Sequence, residues 1–499
     1  MKILYPILAL SAFSVNSLTA GQRVNVVLIM ADQCRFDFLG AVNPQIITPA
    51  LNALCADGVR FANAYSSTPS STPARAAILT AQSPWHHGLL GYAARIAPSY
   101  PHELQKDLAA AGYYMHAVGK MHWTPQRGLR GYNQVELDES GRAQDSTFIS
   151  DYHQWFTKAA PGVNPDSTGI GWNDHRAAPY ALPEELHPTA WTGQRARAAL
   201  DTRDSLRPFF LKVSFARPHS PYDAPQRYLD MYRGHTMPEP WVAPWAAYYA
   251  NMPKTADSPY ADYGAQYALN SRLSYAANLT FIDHEIGLLV AELKARGLYE
   301  NTLIIFTSDH GDMLGDHNHW RKTYPYEGSA HVPMVVKLPQ AKKGEQGVVR
   351  TELVEMRDIM PTVLDAAGIA VPKGIDGRSM LATVRRGKGK KSTPWRSMID
   401  LEHTACYMAK MSYVALVDQK MKYVWYYEKG TQELFDLQND KHEMVNLAPQ
   451  AQYRATMDQY RAAMAEHLAE RGEDWVKDGI LQIHKAALYS PNFPGNTKK

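Results

Sequence analysis

The sequence predicts an α/β fold: an α/β/α sandwich around a mostly parallel central sheet, followed by a smaller C-terminal antiparallel α+β subdomain. Three observations carry this. From residue 24 to about residue 382, short β-branched runs alternate with helical patterns, as in a sheet covered by helices on both faces. A basic stretch at 385–396, with Gly387, Gly389 and Pro394, breaks that alternation as a linker would. Beyond it, three short strand-like runs and one long helical pattern suggest a small antiparallel sheet with a closing helix.

Taken in order, the strands are expected at 24–30, 114–119, 209–215, 303–307 and 332–337. The polar stretch 134–187, rich in Asp, Pro and Gly, is expected as a loop excursion over one edge of the sheet. The small sheet is expected from 412–418, 421–427 and 433–437, and its helix from 451–471. The division is therefore 21–384 for the main domain and 397–499 for the C-terminal subdomain, as 499 residues exceed one small core.

The N-terminus begins with Lys2, runs apolar from Ile3 to Val15, and reaches Leu18-Thr19-Ala20, a small-residue cleavage pattern. Residues 1–20 are read as a signal peptide, because Pro6, Ser11, Ser14 and Asn16 leave the run short of a membrane span. The mature chain is expected to be periplasmic or secreted and not membrane-embedded. Cys34, Cys55 and Cys406 are too few for a disulfide framework, so burial must hold the fold. A net charge of +3 over this length draws in no nucleic acid.

Chemistry concentrates at a few strand ends. Ser71-Thr72-Pro73-Ala74-Arg75 opens a helix: Pro73 suits a first turn, and Ser71 sits at the end where free amides and the dipole favour an anion. Arg75 lies one helical turn on. Asp32 and Gln33 follow the first strand, and Asp309 and His310 follow the strand at 303–307; strand ends of a parallel sheet converge on one edge, where ligands bind. Two carboxylates and an amide oxygen suit a hard cation, Ca²⁺ or alternatively Mg²⁺, with His310 adding a nitrogen. Lys120 and His122, two apart in Gly119-Lys120-Met121-His122-Trp123, point the same way if the chain is extended. Arg217-Pro218-His219-Ser220-Pro221 places His219 after the strand at 209–215, and Lys322 stands in Arg321-Lys322-Thr323-Tyr324-Pro325-Tyr326-Glu327.

These motifs, in this order, resemble the sulfatase family of the alkaline phosphatase-like superfamily, over most of the mature chain. The family's signature is Cys or Ser, any residue, Pro, any residue, Arg, then a Leu-Thr-Gly-like helix, matched here at 71–81 with Ser71 for the commoner Cys and Ala81 for the usual Gly. The resemblance implies that a maturase oxidises residue 71 to formylglycine, whose hydrate is the nucleophile. It places the metal on Asp32, Gln33, Asp309 and His310, although most relatives have Asp at the position of Gln33 and many have Asn at that of His310. It implies that Arg75, Lys120 and Lys322 neutralise a sulfate ester, that His219 protonates the leaving alcohol, and that His122 is the base. The expected partner is a sulfated carbohydrate.

Two alternatives stay open from the sequence: a phosphoester or phosphonate hydrolase of the same superfamily, and a noncatalytic binder of sulfated glycans. A sugar subsite is suggested by Trp85, His86, His87, the His317-Asn318-His319-Trp320 run, Arg321, Tyr222 and Asp223; packed aromatics explain the same residues equally well.

Overall fold

A computed structural model describes residues 23–342, 344–387, 390, 395–405 and 407–495. The predicted signal peptide, Cys406 and most of the predicted linker lie outside the described residues.

Eight strands form the main sheet: β1 (Asn25–Asp32), β2 (Val59–Tyr65), β3 (Tyr114–Gly119), β4 (Gln134–Leu137), β5 (Phe209–Pro218), β6 (Thr302–Thr307), β7 (Met334–Lys337) and β8 (Val348–Glu355). Their spatial order is β4-β3-β5-β1-β6-β7-β2-β8. All pair in parallel except β7, which runs antiparallel to both its neighbours, β6 and β2. Strands β1, β3, β5 and β6 are buried along their whole length, and such strands read as unbroken apolar runs. One hydrophobic cluster covers each face of the sheet, one around Val26, Leu28 and Met30 and the other around Val27 and Ile29. That alternation along β1 is what a two-sided sheet requires.

The strands missing from the sequence reading are β2, β4 and β8. Strand β4, inside the supposed excursion 134–187, and β8 form the two edges. Both carry partly exposed polar residues, so neither shows as a buried run. Strand β2 is interior, but its Arg60, Ala62 and Asn63 are only half-buried and dilute the pattern.

The small sheet has the order β12-β11-β10-β9, all antiparallel, from β9 (Met398–His403), β10 (Tyr413–Asp418), β11 (Met421–Tyr426) and β12 (Thr431–Asp436). The closing helix spans Arg454–Leu468. Strand β9 was not predicted. This unit does not stand apart: Ile399, Leu401 and Tyr413 share a core with Tyr65, Ala330 and Leu353 of the main body. Arg357 pairs with Asp400, and Arg396 with Glu355 and Asp358, across the same contact.

Candidate active site

Strands β3, β5, β1 and β6 are consecutive neighbours, and their C-terminal ends deliver Lys120, His219, Asp32 and Asp309 to one edge of the sheet. Two backbone hydrogen bonds lock these ends together: His219 donates to the carbonyl of Asp32 (3.0 Å), and Lys120 to that of Ser214 (2.8 Å). Gly119 makes the second possible. Its φ is +94°, and a Cβ there would lie 2.1 Å from the Ser214 oxygen.

The helix Ser71–Thr80 enters from the side, and Ser71 is its first residue. The Ser71 hydroxyl lies 3.1 Å from His310 Nε2. His310 Nδ1 donates to the Gly311 carbonyl (2.9 Å), so Nε2 is the unprotonated nitrogen and accepts from Ser71. Burial pulls His310 down to about 4, against the attraction of Asp309, so the ring is neutral near pH 7.

Asp32, Asp309 and His310 each present one ligand atom, all within 4.8 Å of one another. Asp32 Oδ1 is buried without a hydrogen-bond partner among the described residues. A buried carboxylate oxygen left bare is costly, and a divalent cation would satisfy it; two carboxylates and a neutral imidazole are a fitting donor set. Burial works to raise the pKa of both carboxyls. Lys120, His219 and Arg75 outweigh it at Asp32, and His310, Arg75 and Lys120 at Asp309, so both stay ionised well below the usual carboxylate range.

Arg75 is placed differently from the expectation that it neutralises sulfate. Its Nε donates to Asp309 Oδ2 (2.9 Å), its Nη2 to Asp32 Oδ2 (3.0 Å), and its Nη1 to the Lys120 carbonyl (2.5 Å) and the Ser214 hydroxyl (3.0 Å). Every nitrogen of the guanidinium is engaged with protein, so Arg75 clamps the two carboxylates rather than facing the pocket.

Gln33, expected among the metal ligands, is engaged with protein. Its side chain donates to Asp312 and accepts from Lys322 Nζ at 2.7 Å, tying that lysine to the sheet edge. Lys120 Nζ contacts Asp32 Oδ2 and is fully buried. Burial brings Lys120 down to about 8 and Lys322 down to about 7. His122 reaches the site, though not by the strand pleat the sequence suggested: β3 ends at Gly119, and His122 has a left-handed φ of 57°. Buried Glu139 accepts the backbone N–H groups of Met121 (2.9 Å) and His122 (3.1 Å) and holds that turn. His219 bonds through Nδ1 to the Ser220 carbonyl (2.8 Å). Burial first, then Lys120 for His122 and Lys322 for His219, keeps both imidazoles well below their ordinary range.

Ser71, His122, His219 and Lys322 line one cavity of about 210 Å³, together with Tyr92, Arg142, Trp172, Asn173, Arg321 and Tyr407.

A family model described as Sulfatase matches residues 24–369. The chain belongs to the sulfatase family. A second model, N-sulphoglucosamine sulphohydrolase C-terminal, matches residues 315–470. An arylsulfatase of Clostridium perfringens is 36% identical over 476 residues, covering 92% of this chain and 97% of that one. An N-acetylglucosamine-6-O-sulfatase of Bacteroides thetaiotaomicron is 25% identical, covering 90% of this chain and 88% of the other. Among solved structures, a phosphonate monoester hydrolase of Agrobacterium radiobacter superposes with a TM-score of 0.76 at 25% identity, over 90% of this chain and 96% of that one. The chain is thus a sulfatase, an enzyme that hydrolyses sulfate esters.

Most of the residues suggested as this sulfatase's sugar subsite are packed elsewhere. Trp85 packs edge-to-face with Trp475, Trp320 stacks on His175, and His319 sits edge-to-face among Tyr249, Tyr260 and Tyr324. His317 packs on Trp245 and Tyr326, and His87 and Asn318 are buried. Tyr222 donates to Asp312, Asp223 pairs with Arg217, and His86 with Asp376. Arg321 alone of that set lines the cavity. The residues missed are Tyr92, Arg142, Trp172, Asn173 and Tyr407, the last from the C-terminal subdomain. No local signal marks Tyr92 or Tyr407; the concentration of Trp172, Asn173 and Arg142 in one long polar excursion was the available hint for those three.

Proposed function

We propose that this sulfatase removes O-sulfate from a sulfated carbohydrate, using a formylglycine made from Ser71 and one divalent metal ion, Ca²⁺ or alternatively Mg²⁺. The observation that carries the reading is the Ser71 hydroxyl at a buried helix N-terminus, 3.1 Å from His310 and on the wall of the cationic cavity. The likeness to the N-acetylglucosamine-6-O-sulfatase supports a sugar substrate. Once formed, the hydrated aldehyde would supply the nucleophile, and the metal, held by Asp32, Asp309 and His310, would supply a Lewis acid beside it.

The chain's own residues account for the rest. An arriving sulfate favours the charged forms of Lys120 and Lys322, which burial has brought down to about 8 and about 7, and charge held in place in this way lowers the barrier most in a buried site. Arg75 fixes both carboxylates. His219, whose Nδ1 is anchored on the Ser220 carbonyl, has Nε2 to give a proton to the leaving alcohol; an arriving sulfate anion favours its charged form. His122, held neutral, takes a proton in the return step. Export by the segment 1–20 would bring the enzyme to the periplasm or outside the cell, with a maturase acting on residue 71 on the way.

The test is the mass of the peptide spanning residue 71, from protein purified from its native host. Conversion makes it lighter by two hydrogens. An unconverted serine in active protein would overturn the reading. The likeness to a phosphonate monoester hydrolase favours one competitor, and kcat/KM for matched sulfate and phosphonate esters separates the two.

A further inference from the structure

The cavity wall carries more positive charge than one sulfate ester requires. Beside Lys322 it includes Arg142 and Arg321, and among the described residues that line it there is no Asp or Glu. Arg321 is accounted for: it donates to the Asn173 carbonyl (2.9 Å) and lies 3.5 Å from Asp257. Arg142 is not. Among the described residues no carboxylate lies within salt-bridge distance of it, and its hydrogen bond is a long one to the Glu139 carbonyl (3.4 Å).

Its position is nevertheless built. The Arg142 guanidinium sits 4.4 Å over the ring of Trp172, and the same ring stacks on His219 with centroids 5.9 Å apart. Stacking fixes the plane of a guanidinium while leaving its in-plane N–H groups free to meet a planar or tetrahedral anion two at a time. Trp172 is 45% exposed, so the ring stays open beside Arg142. Arg142 and Trp172 also line a second cavity of about 270 Å³, in which Ser71 has no part and whose wall carries Asp138 and Asp166 as well as Arg217. The pair therefore stands where a substrate larger than its sulfate group would pass.

We infer that Arg142, set on Trp172, is a specificity-determining residue that binds a second anionic group of the substrate, a carboxylate or a further sulfate, next to the sulfate ester that is cleaved. The inference rests on the sulfated-carbohydrate reading and narrows it to polyanionic sugars.

The test uses matched substrates: a hexosamine 6-sulfate, the same sugar with a second sulfate, the same sugar joined to a uronic acid, and the aryl pair phenyl sulfate and carboxyphenyl sulfate. Wild-type enzyme should prefer a doubly anionic member over its singly charged partner by about 10- to 100-fold in kcat/KM, the value of a charge-assisted contact. The two sugar arms tell sulfate from carboxylate. Arg142→Gln should collapse that preference, chiefly through KM. Arg142→Lys should keep part of it, and Trp172→Ala, which leaves the charge but removes its platform, should keep less. The same ranking in calorimetric affinities applies to protein whose Ser71 is unconverted. Equal losses on singly and doubly charged partners, or no preference in the wild type, would overturn the inference. If no sugar is hydrolysed but the aryl esters are, the carbohydrate reading fails, and the aryl pair alone decides the role of Arg142.

Discussion

Replacing Arg75 by Ala should cost stability and metal retention before it costs anything at the substrate. The guanidinium makes two ionic hydrogen bonds, one to Asp309 Oδ2 and one to Asp32 Oδ2, and all three side chains are essentially inaccessible to solvent. Without it, Asp309 Oδ2 has no donor among the described residues, and Asp32 keeps only Lys120. At about 1.5–3 kcal/mol for each charge-assisted bond, the loss is about 3–6 kcal/mol, overlapping the roughly 3–5 kcal/mol found when one partner of a buried ion pair is removed. Unfolding entropy of about 2 cal/mol/K per residue converts this to a fall in Tm of about 3–6 °C for a chain of this size. The assay is thermal unfolding of wild-type, Arg75→Ala and Arg75→Lys proteins, with and without a chelator, alongside metal stoichiometry. Arg75→Lys should recover one bond and part of the Tm. Activity should fall equally for substrates with good and poor leaving groups. A variant with wild-type Tm and full metal content but no activity would refute the clamp and return Arg75 to the substrate.

Three further outcomes follow from the same geometry. His219→Ala should slow hydrolysis of a sulfated sugar by about 10²- to 10⁴-fold and an activated aryl sulfate much less, because a phenolate leaves without a proton; equal losses in kcat/KM would move the acid role to Lys322 or His122. Asp309→Ala should lower metal content together with activity, since it removes one of three clustered ligands; full occupancy in that variant would exclude Asp309 as an essential ligand. His86 is held above its ordinary pKa, first by its hydrogen bond to Asp376, and it also reaches Glu470 of the C-terminal subdomain (3.1 Å). A raised histidine stabilises fully below its unfolded pKa and loses that contribution as pH climbs through the folded one, so His86 should add a downward slope to Tm as pH rises above the ordinary histidine range. His86→Gln should flatten that slope, and an unchanged slope would show that other groups set it.

The sequence by itself determined the family and the class of fold, and it set the candidate residues at strand ends. Strands β1, β3, β5 and β6 read clearly because each is buried on both faces and so consists of an unbroken apolar run. The turn residues that follow them are adjacent in sequence to those runs, so Asp32, Lys120, His219 and Asp309 could be assigned to strand ends from local pattern alone.

Tertiary structure decided what each of those groups touches. The order β3-β5-β1-β6 joins segments as distant in sequence as Asn25 and Thr302, and no local period encodes which strand pairs with which. From that order follow the facts the motifs could not express: Arg75 spent on two carboxylates instead of on sulfate, Gln33 tying Lys322 to Asp312, and Glu139 holding the turn at His122. The aromatics were undecidable in sequence for a related reason. Trp320 and Trp172 look alike as residues in polar surroundings, yet one is buried on His175 and the other stands open between Arg142 and His219. Whether an aromatic is core or platform depends on what the rest of the chain leaves uncovered, and burial is a property of the whole packed molecule rather than of any stretch of it.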